Sequence, residues 1–160
     1  MKYKIGLGYD VHQLTEGIPL WLGGIKVEHS KGSLGHSDGD ALIHAICDAM
    51  LGAANLRDIG YQFPDTDPTL KGIDSKILLK KTLELISQKG FKIGNIDSTI
   101  CLQRPKVKDL IPVMQETLAN VLQIDTEDIG IKATTTEKLG FTGREEGVSA
   151  YAVVLLYKEK

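Results

Sequence analysis

The stretch VSAYAVVLLY, residues 148–157, carries apolar side chains at consecutive positions, where a strand with one wet face would alternate. Both faces of such a strand must be covered. Helices supply one cover. With three long helices predicted in 160 residues, the other face needs a second layer, and the economical source is another copy of the chain. The expectation is an α/β (α+β) fold, a single domain over 1–160 in which a mixed β-sheet is covered by helices on one face.

Outward from that strand, Lys2–Val11, Lys92–Gln103 and Ile129–Thr136 read as further strands, and Ile18–His29 as a hairpin about Gly23-Gly24. Helical spacing predicts helices over ALIHAICDAMLGAA, residues 41–54, over Ser75–Gln88 and over Lys106–Leu122. The first is apolar around nearly its whole circumference and is predicted to be buried, with Asp38 or Asp40 as its cap. The polar segment KGSLGHSDGD, residues 31–40, reads as a loop. So does the long segment 55–74, and loops of that length inside a compact domain are usually functional. The predicted order is βββαα-β-α-ββ.

A formal charge of −2 with 25% charged residues lacks the basic excess of a nucleic-acid binder. No segment approaches the ~18 uninterrupted apolar residues of a membrane span, and the N-terminus enters a strand pattern without a cleavable leader, so a cytoplasmic protein is expected. Cys47 and Cys101 show no CxxC spacing and are expected to be reduced core thiols.

In GYDVH, residues 8–12, Asp10 and His12 are two apart and project from the same face of a strand. His44 lies in the buried helix, four residues from both Asp40 and Asp48. Asp, His and His would suit Zn²⁺ with a fourth, open position, and Asp48 is expected to orient the outer nitrogen of His44. A satisfied core histidine and a structural Asp10–His12 ion pair are the alternatives. HSDGD, residues 36–40, places His36 and Ser37 just before a helix start, where an anion is favoured; a capping loop reads equally well. KATTTEKLGFTGREEG, residues 132–147, offers hydroxyls and Glu137 at a strand end for phosphate oxygens and a hard cation. It lacks a P-loop ending, and no nucleophilic triad has a local signature.

GYDVH, HSDGDALIHAICDAMLGAANLRDIGYQFPDTDP and KATTTEKLGFTGREEG together closely resemble the 2-C-methyl-D-erythritol 2,4-cyclodiphosphate synthase family over essentially the whole chain. The resemblance implies a homotrimer with active sites between subunits. It also implies conversion of 4-diphosphocytidyl-2-C-methyl-D-erythritol 2-phosphate to the 2,4-cyclodiphosphate with release of CMP. By resemblance, Zn²⁺ falls to Asp10, His12 and His44, and a second divalent cation, Mg²⁺ or Mn²⁺, to Glu137. Substrate contacts fall to Asp10, Val11 and His12, to His36 and Ser37, and to Asp58, Ile59 and Gly60 with Phe63, Pro64, Asp65, Thr66 and Asp67 around the methylerythritol. The cytidine pocket falls to Leu102, Gln103, Arg104, Pro105, Lys106, Val107 and Lys108, and the diphosphate to Thr134, Thr135, Thr136 and Glu137. His36 and Thr135 are the implied catalytic pair, stabilising charge as the 2-phosphate attacks the β-phosphorus. Phe141 and Arg144 fall on the trimer-axis side, where an apolar wall and a guanidinium fork suggest a place for an isoprenoid diphosphate. A zinc-dependent nucleotide pyrophosphohydrolase is the competing enzyme reading, and a metal- or isoprenoid-binding trimer the non-enzymatic one.

Overall fold

The computed structural model describes residues 2–159. Its strands are β1 (Lys2–Glu16), β2 (Leu20–Leu22), β3 (Ile25–Val27), β4 (Lys31–Leu34), β5 (Lys92–Cys101), β6 (Ile129–Thr134) and β7 (Gly147–Lys158). Its helices are α1 (Ala41–Ala53), α2 (Ile59–Gln62), α3 (Ser75–Gln88), α4 (Ile111–Leu122) and the single turn α5 (Gly140–Gly143). Five strands form one sheet in the order β4-β1-β7-β5-β6; only β5 and β6 run parallel, and α4 lies in the crossover that joins them. The expected mixed sheet is therefore present. β2 and β3 pair separately, with Leu22 opposite Ile25 and the intervening Gly23 and Gly24 both at positive φ, as a tight primed turn requires.

The sequence pattern of β7 resolves into two faces. Ala150, Ala152, Val154 and Leu156 are buried against the helices, while Tyr151 and Val153 are exposed on the other side beside Tyr3, Ile5, Leu7, Tyr9 and Val11 of β1. Ile5 and Leu7 are 73% and 70% exposed, so the chain leaves an apolar sheet face bare.

On the covered face, α1 lies directly against β1. A Cβ added to Gly8 would stand 1.8 Å from the Ala45 carbonyl oxygen, and one on Gly6 1.8 Å from that of Ala49. Glycine on the strand and alanine on the helix let two backbones touch, which carries His44 down onto the strand. Asp40, not Asp38, caps α1: its buried carboxylate accepts from Ile43 N–H and also from the N–H groups of Gly23 and Gly24, pinning the hairpin to the helix start.

Several boundaries differ from the sequence reading. β1 continues to Glu16 because Gln13–Glu16 pair with β4, a strand hidden inside the polar segment 31–40. α4 begins at Ile111 after a 3₁₀ turn at Lys108–Leu110, consistent with Pro112 sitting in the first turn where a missing N–H costs nothing. The segment 55–74 contains α2 and a 3₁₀ turn at Pro68–Leu70, capped by Asp58 and Asp67. No helix among the described residues is long and apolar enough to cross a membrane.

Candidate active site

Asp10 and His12 sit in register with Ala150 and Val148 near the middle of the sheet, both on the helix-covered face, and α1 brings His44 above them. Their ligand atoms lie within 4.8 Å of one another, a group that could hold a metal ion. His12 Nε2 is 2.8 Å from Asp10 Oδ2 and 3.1 Å from His44 Nδ1, and His44 Nδ1 is 3.3 Å from the same Asp10 oxygen. The outer nitrogen of His12 is 3.0 Å from the Leu34 carbonyl oxygen, which can only accept. In the neutral ring the proton thus sits on Nδ1 and a bare Nε2 turns inward; the charged ring carries a second proton there, facing Asp10. Two imidazole nitrogens and a carboxylate oxygen converging at this spacing fit a divalent ion of intermediate softness.

Partial burial works against charge on Asp10, but the hydrogen bonds that His12 and His44 donate to it when their rings are doubly protonated outweigh burial and hold the carboxyl below its usual range. Burial likewise opposes a charged His12; the hydrogen bond to Asp10 overcomes it and raises the imidazole. Asp48 does not orient His44. Its carboxylate accepts from Ile59 N–H at 2.7 Å, fastening α2 to α1, while His44 Nε2 meets Ser75 Oγ at 2.8 Å and Ser37 Oγ at 3.0 Å. Helical spacing put Asp48 one turn from His44, but the ring points toward the start of α3, a partner no local pattern could name. Cys47 is buried with its thiol pushed up to about 12 by burial, an inert core residue as expected.

The triad opens into a cavity of about 200 Å³. His36 and Ser37 line it, as do Ile59, Gly60, Phe63 and Asp65. Asp58 and Asp67 of the same segment are outside that lining and cap α2 and the following 3₁₀ turn through Tyr61 N–H and Thr69 N–H. Pro64 and Thr66 are not among the lining residues, and Val11 faces the bare side of the sheet. Leu70, Ile73 and Leu78 complete the wall and were missed. Their apolar side chains in or beside a polar loop were the available signal.

A second cavity, of about 230 Å³, is lined by Leu102, Pro105, Lys106, Val107 and Lys108 with Thr134 and Thr135. Gln103 joins the two segments by accepting from Lys138 N–H, and Leu102 N–H donates to the Thr134 carbonyl oxygen. Arg104 is exposed and lies 3.7 Å from Glu145. Glu137 and Lys138 both hold left-handed backbone, with Thr135 Oγ1 accepting from Glu137 N–H and Thr136 Oγ1 donating to the Leu139 carbonyl oxygen. Glu137 itself is exposed at the rim of this turn. The two cavities share no lining residue. Asp10 and Ala133 stand on one row of the sheet but three strand spacings apart, about 14 Å. Phe141 lies elsewhere again, over Gly147 beside the His12 backbone, and the Arg144 guanidinium is engaged by both carboxylate oxygens of Glu146.

The family model for the YgbB family matches residues 3–157. The chain belongs to that family. Among curated relatives, 2-C-methyl-D-erythritol 2,4-cyclodiphosphate synthase of Bacteroides thetaiotaomicron is 70% identical over 159 residues, covering 99% of this chain and 100% of that protein. Among solved structures, the bifunctional IspDF of Campylobacter jejuni matches with a TM-score of 0.95 and 43% identity, over 99% of this chain and 43% of that one. IspF of Plasmodium falciparum in complex with CDP matches with a TM-score of 0.87 and 35% identity, over 99% and 97% of the two chains. The fold described above is shared with these two solved structures.

Proposed function

We propose that this YgbB-family chain is a 2-C-methyl-D-erythritol 2,4-cyclodiphosphate synthase, working as one domain over 1–160 in the non-mevalonate isoprenoid pathway. It converts 4-diphosphocytidyl-2-C-methyl-D-erythritol 2-phosphate to the cyclic diphosphate and CMP, a phosphorus–oxygen lyase reaction. The observation that carries the reading is the convergence of Asp10, His12 and His44 on a cavity that also holds His36, Ser37 and the 59–65 segment.

The 2-phosphate has a second pKa of ~6 and is mostly dianionic at neutral pH, so its oxygen attacks the β-phosphorus without a strong general base. The bond from β-phosphorus to the α-phosphate oxygen breaks, and that oxygen leaves with CMP. The obstacle is the approach of one anion to another. Zn²⁺ at Asp10, His12 and His44, with Mg²⁺ or Mn²⁺ at Glu137, would neutralise phosphate charge and polarise the phosphoryl oxygens when bound. The chain's own groups do the rest. His36 and Ser37 hold the phosphate end, Ile59, Gly60 and Phe63 enclose the methylerythritol, and Thr135 donates to the oxygens on which charge develops. Pro105 and Lys106 seat the cytidine.

The separation of the two cavities within one chain, together with the bare face of β1 and β7, supports a homotrimer whose sites pair one subunit's first cavity with its neighbour's second. An isoprenoid diphosphate at the axis side would have to displace Glu146 from the Arg144 fork. Incubation of purified protein with the cytidyl substrate and divalent metal tests the activity. The expected products are CMP and a cyclic diphosphate in equal amounts; CMP with a linear bisphosphate would establish a hydrolase instead.

A further inference from the structure

His44 meets Asp10 and His12 through Nδ1, so its ring proton must sit on Nε2 if Nδ1 is to offer a lone pair. Nε2 faces two hydroxyls, and a hydroxyl can either accept from an imidazole N–H or donate to a bare nitrogen. The destination of its own hydrogen decides which. For Ser75 that destination is fixed: Oγ lies 2.5 Å from Asp38 Oδ1, while Asp38 Oδ2 accepts from Ser75 N–H at 2.9 Å and Oδ1 from Asp40 N–H at 3.1 Å. A carboxylate gathering these donors has no hydrogen to give, so the Ser75 hydroxyl donates to Asp38 and turns a lone pair toward His44. Ser37 is held less firmly. Its oxygen accepts from Gly39 N–H at 3.3 Å, its hydrogen is not committed to a carboxylate, and it sits in the loop before α1, whereas Ser75 is fully buried in the first turn of α3.

We propose that Asp38 and Ser75 are positioning residues that lock the His44 proton onto Nε2 and thereby hold Nδ1 as a lone pair toward Asp10 and His12. The proposal rests on the metal reading of the triad given above. It makes the tautomer of a helix residue depend on a loop carboxylate and on the start of a different helix. Neither residue lines the cavity or belongs to the triad; both act through His44.

Long-range proton–nitrogen correlation spectra of the metal-free protein at about pH 9, above the ordinary imidazole range, read the tautomer directly. Wild type should show His44 protonated at Nε2, and Ser75→Ala should shift population to the Nδ1-protonated form. Chelator competition should find Zn²⁺ bound about 10- to 100-fold more weakly by Ser75→Ala, with a smaller loss for Ser37→Ala. Melting curves would establish that the variants are folded. A folded Ser75→Ala protein with wild-type Zn²⁺ affinity and an unchanged tautomer would overturn the relay while leaving the metal site standing. Should Ser75→Ala not fold, an Nδ1-protonated His44 in the wild-type spectrum overturns the proposal and an Nε2-protonated one sustains it. Wild-type protein that takes up no Zn²⁺ would remove the metal reading, and with it the purpose assigned to the relay.

Discussion

On the proposed metal reading, protons and a metal ion compete for the same atoms at Asp10 and His12, and that competition would set the pH behaviour of the site. Asp10 raises the His12 pKa, so metal binding should begin to weaken, as pH falls, above the ordinary imidazole value of ~6.5. In the metal-free protein the raised His12 contributes stability that is complete below ~6.5 and lost as pH rises through its folded value. The lowered Asp10 contributes stability present above ~3.9 and lost as pH falls through its own folded value. The metal-free melting temperature should therefore be highest between those limits, and Asp10→Asn should flatten both slopes. Equal slopes in variant and wild type would break the coupling. At full metal occupancy the alkaline decline should vanish, because the ion replaces the proton as the positive partner. His12→Ala and His44→Ala should each abolish zinc retention, measured by metal analysis, while the chain stays folded, since each removes one of three protein donors.

At the scale of elements, the meeting of α1 with β1 is what brings His44 to the strand. Gly8→Ala would drive a methyl group into the Ala45 carbonyl oxygen, so α1 must lift. Overpacking of this kind costs about 1–3 kcal/mol. The expected result is a lower melting temperature together with a loss of Zn²⁺ affinity, although no ligand has been altered; destabilisation with unchanged affinity would show that α1 does not set the spacing. This geometry was half legible in the sequence. The apolar circumference of α1 announced its burial, and the two-residue step from Asp10 to His12 announced a shared face, because strand and helix periods are local rules. The partners of His44 were not legible: Ser75 is 31 residues away, and only the folding of α3 against α1 selects it over Asp48. β4 was hidden for a related reason. Lys31–Leu34 has no alternation of its own and becomes a strand because Gln13–Glu16 offers it an edge.

For the whole molecule, the bare face of β1 and β7 predicts assembly. Ile5→Glu with Leu7→Glu should convert the proposed trimer to smaller species in sedimentation velocity, because on that reading charges would enter a buried surface without partners. A single species of wild-type mass would place the interface elsewhere. The shared site has its own test. Asp10→Ala and Glu137→Ala proteins, each inactive alone, should regain about a quarter of wild-type activity after mixed reassembly, since in a head-to-tail ring each intact half is present with a probability of about one half. Verified mixed trimers that remain inactive would confine the site to one subunit.

The alternation of β1 has a consequence for how this chain can change over evolutionary time. Odd-numbered positions from Tyr3 to Val11 build the exposed apolar face proposed to meet other copies, and even-numbered ones from Gly6 to His12 receive α1 and carry two of the three groups that could hold a metal. A substitution alters one of these roles at one place. Gain or loss of a single residue before Asp10 exchanges them all: the bulky row turns onto the helix, and the glycines turn outward. The length of this ribbon should thus be far harder to vary than its letters, and lineages of the family should tolerate insertions in the 55–74 segment long before they tolerate one here.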